Sequence, residues 1–279
     1  MSEAAAQIRP LTAREFEQFR TLAYEKFGLD LRDGKQQLVE GRLARRMREL
    51  RFRSFADYYR HVTGDTSGAE LTALIDSLTT NHTSFFREAA HFELLRSTIL
   101  PPLGGRARIP VWSAACSTGE EPYSIAMCAS ETLGESVLSR LHILATDIST
   151  RVLATARTGA YPVERCRGIS EAQLRRFLLR GENRWQDWYR VKPQLRTAVE
   201  FRRLNLMEPF HLLQFPLIFC RNVMIYFDHP TQEGLVNRLA ACLEPGGYLV
   251  IGHAESLNGI AHPLHYVQPA VYRKPESVR

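Results

Sequence analysis

The 279-residue chain has no apolar run near the roughly 18 residues of a membrane-spanning helix. Its first residues, Met1-Ser-Glu-Ala-Ala-Ala-Gln-Ile-Arg, lack the apolar core of a secretion signal. Both absences point to a cytoplasmic protein with no membrane insertion. Cysteine is scarce and scattered: five residues (116, 128, 166, 220, 242), with no Cys-x-x-Cys pair and no Cys/His cluster. That excludes a disulfide framework and gives no metal motif, leaving reduced thiols. Neither Gly-x-Gly-x-x-Gly nor Gly-x-x-x-x-Gly-Lys-Ser/Thr occurs, so the usual cradles for a pyrophosphate or a triphosphate are missing. Internal repeats and low-complexity tracts are absent as well.

What is present is the composition of an ordinary globular protein, long enough for one large or two modest domains. The net charge of +6 is unevenly spread. Between Gly41 and Arg53 stand Arg42, Arg45, Arg46, Arg48, Arg51 and Arg53 against the single Glu49. Such a density suits an acidic partner, although a merely solvated helix face has the same appearance.

Residues 1–80 read as a helical domain. Thr12 to Glu15 and Ser54 to Asp57 have the spacing of capping boxes, and Leu71 to Leu78 reads as a further helix. Leu38, Leu43, Met47 and Leu50 form an apolar stripe that leaves the arginines on the other side. Residues 81–105 read as a linker contributing to the active site, and 106–279 as an α/β domain. Its predicted strands are 109–113, 141–145, 217–220 and 248–251, alternating with helices at 121–133, 149–156 and 231–243. Gly134 and the Gly246-Gly247 pair are expected to stop helices, and residues 264–274 to form an antiparallel finish. Residues 159–203 fit neither pattern. They read as a small insertion carrying a capping box at Ser170 to Gln173 and a Trp/Tyr/Arg-rich stretch.

In such a sheet the functional groups belong at the carboxyl ends of the strands. Ile109 to Met127 packs a strand, a small-residue turn and a helix start into one stretch, with Glu120 and Glu121 at the turn. Two carboxylates there would repel a pyrophosphate, so the ligand is neutral or cationic at that end. Asp147 follows the second strand, where it can accept from both ribose hydroxyls of an adenosine cofactor or serve as a helix cap. Arg221 and Asn222 end an apolar strand. A charge in that position needs either a salt-bridge partner or a ligand. A fourth polar group, Asn205-Leu206, ends the stretch Val199-Glu-Phe-Arg-Arg-Leu-Asn-Leu and alone would signify little. Thr79 to Glu88, with two aromatics beside an arginine, is too elaborate for an idle junction, although a helix cap with Phe85 and Phe86 in the core also accounts for it.

Six blocks together resemble the chemotaxis receptor methyltransferases, the CheR family. They are Asn81-His-Thr-Ser-Phe-Phe-Arg-Glu, Trp112-Ser-Ala-Ala-Cys-Ser-Thr-Gly-Glu-Glu-Pro-Tyr-Ser, Ala145-Thr-Asp, Asn205-Leu-Met, Phe219-Cys-Arg-Asn-Val-Met-Ile-Tyr-Phe and Gly252-His-Ala-Glu-Ser-Leu. They stand in the family's order and cover nearly the whole chain. Only His82 and Ala254 depart from residue types common there. The resemblance implies a class I S-adenosyl-L-methionine-dependent methyltransferase: a Rossmann-like, mainly parallel seven-stranded sheet, a small all-helical N-terminal domain and a small β-rich insertion. It implies a protein-glutamate O-methyltransferase that esterifies chemoreceptor glutamates and releases S-adenosyl-L-homocysteine.

By motif position, Asn81, Thr83 and Arg87 would line the methionine end of the cofactor, with Glu121 near it. Asp147 would hold the ribose; Asn205, Leu206, Arg221 and Asn222 would surround the adenosine and its neighbours; Arg87 and Tyr226 would flank the methyl. Arg42, Arg45, Arg46 and Arg48 would meet the acidic coiled coil of a chemoreceptor, and the insertion would take a tethering peptide at a receptor's C-terminus. The enzyme is expected to be a monomer without metal or nucleic acid. Two competitors are weaker: a dinucleotide-dependent dehydrogenase is disfavoured by the missing glycine motif and the acidic turn, and a nucleic-acid binder using the arginine helix leaves the six blocks unexplained.

Overall fold

The computed structural model describes residues 8–210 and 212–276. The stretch Met1 to Gln7, which informed the expectation of no secretion signal, lies outside the described residues. The chain divides into two compact units, Met1–Asn81 with Tyr226–Asp228, and His82–Ile225 with His229–Arg279. No described helix is long and apolar enough to cross a membrane.

The first unit is built on helices α1 (Ala13–Phe27), α2 (Gln36–Glu49), α3 (Phe55–Gly64) and α4 (Ala69–Leu78). Thr12 and Glu15 form the full reciprocal capping box, whereas Ser54 caps α3 through the Asp57 amide alone. The buried stripe of α2 is Val39, Leu43 and Met47. Steps of four keep these three on one face, so Leu38, one position out of step, is half exposed rather than core.

Arg46 is not a free surface charge. Its guanidinium makes a forked contact with the buried Glu70 (Nε to Oε1 3.0 Å, Nη2 to Oε2 2.6 Å), and the buried Tyr58 hydroxyl donates to the same Oε1 at 2.9 Å. The hydrogen bond to Glu70 holds the Arg46 pKa above its ordinary value. Arg42 donates to the Leu78 carbonyl and, at 2.9 Å, to Thr80. Arg45 and Arg48 remain exposed; Arg45 has a loose pair with Glu49 at 3.7 Å.

Among the described residues the second unit carries ten strands and helices α5 (Ala89–Leu94) to α10 (His229–Ala241). Strands β1 (Ile109–Ala114), β2 (Leu141–Asp147), β6 (Val199–Arg203), β7 (Phe215–Cys220), β8 (Leu243–Ile251), β9 (His265–Gln268) and β10 (Val271–Arg273) form one sheet in the order β6-β2-β1-β7-β8-β10-β9. The first five are parallel; β10 runs antiparallel to β8 and β9. Every residue of β7 is buried, and β1 nearly so, as expected for strands covered on both faces.

Three short strands, β3 (Ala160–Pro162), β4 (Leu178–Arg180) and β5 (Trp188–Val191), make a separate antiparallel sheet in the order β3-β5-β4. The sequence reading extended this insertion to residue 203. In the structure Val199 to Arg203 instead pairs with β2 as an edge strand of the main sheet, and its exposed Glu and Arg residues disguised that role. A second correction concerns Gly246-Gly247, which lies within β8 and stops no helix; α10 already ends at Ala241. A side chain on Gly247 would meet the Glu244 and Phe215 carbonyls at 2.9 and 3.0 Å, beside a register shift, so these glycines permit a bulge. Residues 81–105 do more than link. Phe85, Phe92, Leu95, Ile99 and Leu100 are all buried in the core of the second unit.

Candidate active site

The chain leaves β1 for β2 on one side and later returns to β7 on the other, so the sheet's switch point lies between β1 and β7. Register aligns the carboxyl ends: Ala114 pairs with Thr146 on one side and Cys220 on the other, Cys220 with Ile251, and Asp147 with Arg203. The loops that follow these ends therefore converge.

The loop after β1 is held in an uncommon shape. Ala115, Ser117 and Gly119 all have positive φ, at 61°, 50° and 97°. Only glycine adopts this freely, so the two other residues need outside support. Asp147 supplies it: Oδ2 accepts from the Ser117 amide at 2.8 Å and Oδ1 from the Ser149 amide at 2.9 Å, while the Cys116 amide donates to the Thr146 carbonyl at 2.9 Å. The cap of the next helix is Ser149, which accepts from the Val152 amide. Asp147 is thus a strut that fixes the loop and its own strand end.

Helix α6 (Glu120–Leu133) begins with the acidic pair, and both side chains are buried. Glu120 pairs with Arg165 and accepts from Thr118 at 2.7 Å. Glu121 accepts from Ser113 Oγ at 2.7 Å and from Arg221 Nη1 at 3.0 Å. Burial pushes both pKa values up, and each arginine works against that rise. Of the two open readings for Arg221, the structure supplies the partners. Its Nη2 donates to Glu88 Oε2 at 2.9 Å and to the Arg87 carbonyl, and the guanidinium lies near the rings of Phe92 and Phe219.

Two carboxylates that sequence reading passed over complete the framework. Glu88 accepts from Asn222 Nδ2 at 3.3 Å and from the His253 amide at 3.1 Å in addition to Arg221. Burial raises its pKa, but Arg221 and Asn222 outweigh that and hold it below the ordinary value. Glu255 accepts from the amides of Gly252 (2.6 Å), Met224 (2.7 Å) and Asn222 (3.0 Å), fastening the loop after β7 to the one after β8. Burial nevertheless raises the Glu255 pKa. The signal was available: both glutamates lie inside the resembling blocks, at the end of Asn81 to Glu88 and within Gly252 to Leu257.

The remaining residues have definite places. Arg87 donates to the His82 carbonyl at 2.8 Å, and Thr83 is half-buried in the same segment. Leu204 donates to the Asp147 carbonyl, which ties the next two residues to this strand end. Asn205 accepts from the Met207 amide at 3.0 Å, and the Leu206 carbonyl accepts from Arg238 at 2.7 Å. Asn81 and Tyr226 belong to the first unit. There Asn81 reaches Asp76 at 3.5 Å, and the Tyr226 hydroxyl accepts from the Thr80 amide at 3.2 Å.

His91, fully buried, has its pKa lowered to about 4, by burial first and then by the charge of Arg221. A folded-state pKa below the ordinary 6.5 means that the unfolded chain binds the proton more readily. Stability from this group is therefore complete above pH 6.5 and falls as pH drops toward 4. Urea unfolding across that window should show the decline, and His91→Phe should flatten it.

The donor set suits a cofactor with an adenosine ribose and no pyrophosphate. A carboxylate stands at the end of β2, and the first turn of α6, where a phosphate would bind, is filled by two buried glutamates. Residues 81–272 match the family described as "CheR methyltransferase, SAM binding domain", and residues 14–79 match "CheR methyltransferase, all-alpha domain". The chain is 43% identical over 263 residues to "Chemotaxis protein methyltransferase 2" of Pseudomonas aeruginosa, covering 94% of this chain and 93% of that one. It is 40% identical over 275 residues to "Chemotaxis protein methyltransferase" of Borreliella burgdorferi, covering 95% of both, and 41% identical over 250 residues to the Escherichia coli protein of the same name, covering 89% and 86%. S-adenosyl-L-methionine is accordingly the cofactor. With matches to both domains and relatives aligned along nearly its whole length, the chain belongs to the CheR methyltransferase family.

Proposed function

We propose that this protein is a cytoplasmic, monomeric protein-glutamate O-methyltransferase that esterifies glutamate side chains on the coiled-coil cytoplasmic domain of chemoreceptors, the reaction of adaptation in chemotaxis. The observation that carries this reading is the alignment of both domains with chemotaxis protein methyltransferases over nearly the full chain.

The cofactor supplies an electrophilic methyl group on a cationic sulfur. A substrate glutamate, with an ordinary pKa of about 4.3, is already an anion at neutral pH and needs no general base. The protein's contribution is alignment and exclusion of water. In this reading Arg87 orients the incoming carboxylate and Tyr226 offers a hydroxyl and a π-face beside the methyl, a cation attraction of roughly 0.5–2 kcal/mol. Asn81, Thr83 and Arg87 line the methionine end, Asp147 holds the ribose, and Asn205, Leu206 and Asn222 border the adenosine. Arg221 and Glu121, each engaged by the other, shape that wall rather than bind as free charges.

Asp147→Ala removes the proposed ribose acceptor and the support of the loop after β1 together. Calorimetry with S-adenosylhomocysteine should show affinity lost by at least about tenfold, as for a lost charge-assisted hydrogen bond. Unchanged affinity would contradict the assignment.

Receptor docking is assigned to the exposed arginines of α2, with Arg42 and Arg46 acting mainly through the fold they hold. Arg45→Glu with Arg48→Glu should raise the apparent KM for receptor several-fold, more so at low salt, and leave the unfolding midpoint in place. Arg46→Glu should lower that midpoint, because it strands the buried Glu70. The three-stranded insertion, with Trp185 and Trp188 exposed, is the proposed seat of a receptor tethering peptide.

The activity is tested by incubating the protein with S-adenosylmethionine and a receptor cytoplasmic domain, then mapping modified peptides by mass spectrometry. Methyl groups on glutamates support the proposal; modification confined to other residues overturns it.

A further inference from the structure

The sequence reading expected no metal, because no ligand-spaced cluster exists along the chain. Folding assembles one: Glu88, His91 and His253 each offer a ligand atom, and the three atoms lie within 4.8 Å of one another. His91 is 1% exposed, yet neither of its ring nitrogens makes a hydrogen bond. A buried imidazole with both nitrogens unpartnered is unusual, since buried polar atoms are nearly always satisfied. Its Nδ1 stands 3.4 Å from Glu88 Oε2. Bonds of about 2.0–2.1 Å to zinc in a tetrahedral site put neighbouring ligands roughly 3.4 Å apart, so this pair already spans a tetrahedral edge. The His253 ring packs edge-on to His91 with centroids 4.5 Å apart and is exposed, free to turn toward the same point.

We propose that Glu88, His91 and His253 form a binding site for a divalent ion of the zinc class, with a fourth position open to solvent beside His253. Two imidazoles and one carboxylate favour a borderline transition ion over magnesium or calcium, which take oxygen ligands. The nearby positive charge of Arg221 is balanced from both sides by Glu88 and Glu121. Because Glu88 Oε2 is also the acceptor of Arg221, an ion bound there competes with that contact.

The test is a competition titration of zinc between the full-length protein and a chromophoric chelator, repeated with cobalt to read its visible absorption. The variant is His253→Ala, whose side chain is exposed, and its unfolding midpoint is measured beside the parent's. One equivalent of zinc bound by the parent, weakened at least about tenfold in the variant together with loss of the cobalt absorption, is the expected result. Equal binding by parent and variant, the mark of metal held at other residues, overturns the proposal. So does the absence of stoichiometric binding by the parent.

Discussion

Arg221→Met is expected to cost about 3–5 kcal/mol of stability, the range for removing one partner of a buried ion pair. The arginine side chain is 2% exposed and stands between two carboxylates, Glu121 at 3.0 Å and Glu88 at 2.9 Å. Methionine fills much of the volume and retains contact with Phe92 and Phe219, so packing alone would predict a small effect. The large effect arises from what is left behind. Among the described residues, Glu121 then keeps Ser113 alone, and Glu88 keeps Asn222, the His253 amide and its contact with His91. Urea unfolding at neutral pH measures the loss. Its sign with pH is a further check: Glu121, already raised by burial, rises further without its arginine, so the variant should recover part of the lost stability as pH falls and that carboxyl takes a proton. A loss under 1 kcal/mol would show that the two carboxylates are not held by Arg221.

Gly119→Ala is expected to be nearly as damaging, at about 2–4 kcal/mol, from steric and backbone terms together. At φ 97° an L-residue is strained whatever the space around it. There is also no space: the new methyl would lie 2.9 Å from both the Ala156 side chain and the Tyr161 hydroxyl, and 3.1 Å from the Ala156 backbone. Tyr161 cannot retreat easily, since it donates to the Thr118 carbonyl at 2.6 Å and its ring is buried against Phe85 and Tyr123. The loop must therefore move, and with it the Ser117 amide that Asp147 holds. Binding of S-adenosylhomocysteine should fall by more than the stability loss predicts. Normal affinity in a folded Gly119→Ala protein would mean that this loop does not shape the cofactor site. By contrast, Gly134→Ala also meets a positive φ, but no neighbouring atom lies within 4 Å, so it should show backbone strain alone.

The parallel sheet was legible because its strands are covered on both faces and read as unbroken apolar runs, Phe215 to Cys220 above all. Edge strand β6 was hidden for the converse reason: its glutamate and arginines face solvent, so it looked like part of a surface insertion. The positions of Asp147, Arg221 and Asn222 at strand ends followed from topology, but their partners did not. No periodicity tells that Arg221 will lie between Glu88 and Glu121, which are contributed by distant stretches of chain. The arginine-rich helix makes the same point. Charge count put Arg42, Arg45, Arg46 and Arg48 in one class, whereas the fold turns Arg46 inward to Glu70 and leaves Arg45 and Arg48 exposed. Glu88 and His91 are three positions apart and could be paired from sequence, but nothing in the sequence brings the distant His253 beside them.

A methyl ester on glutamate is cleaved by base, which separates it from methylated nitrogen, sulfur or nucleic acid. Chemoreceptor-bearing membranes are incubated with the protein and S-adenosylmethionine tritiated on the methyl group, and the washed membranes are then treated with base. Release of the incorporated tritium as volatile methanol, abolished in receptors whose methyl-accepting glutamates are replaced by alanine, is the predicted result. Label that stays with the protein after base, or that appears equally in the substituted receptors, would contradict it.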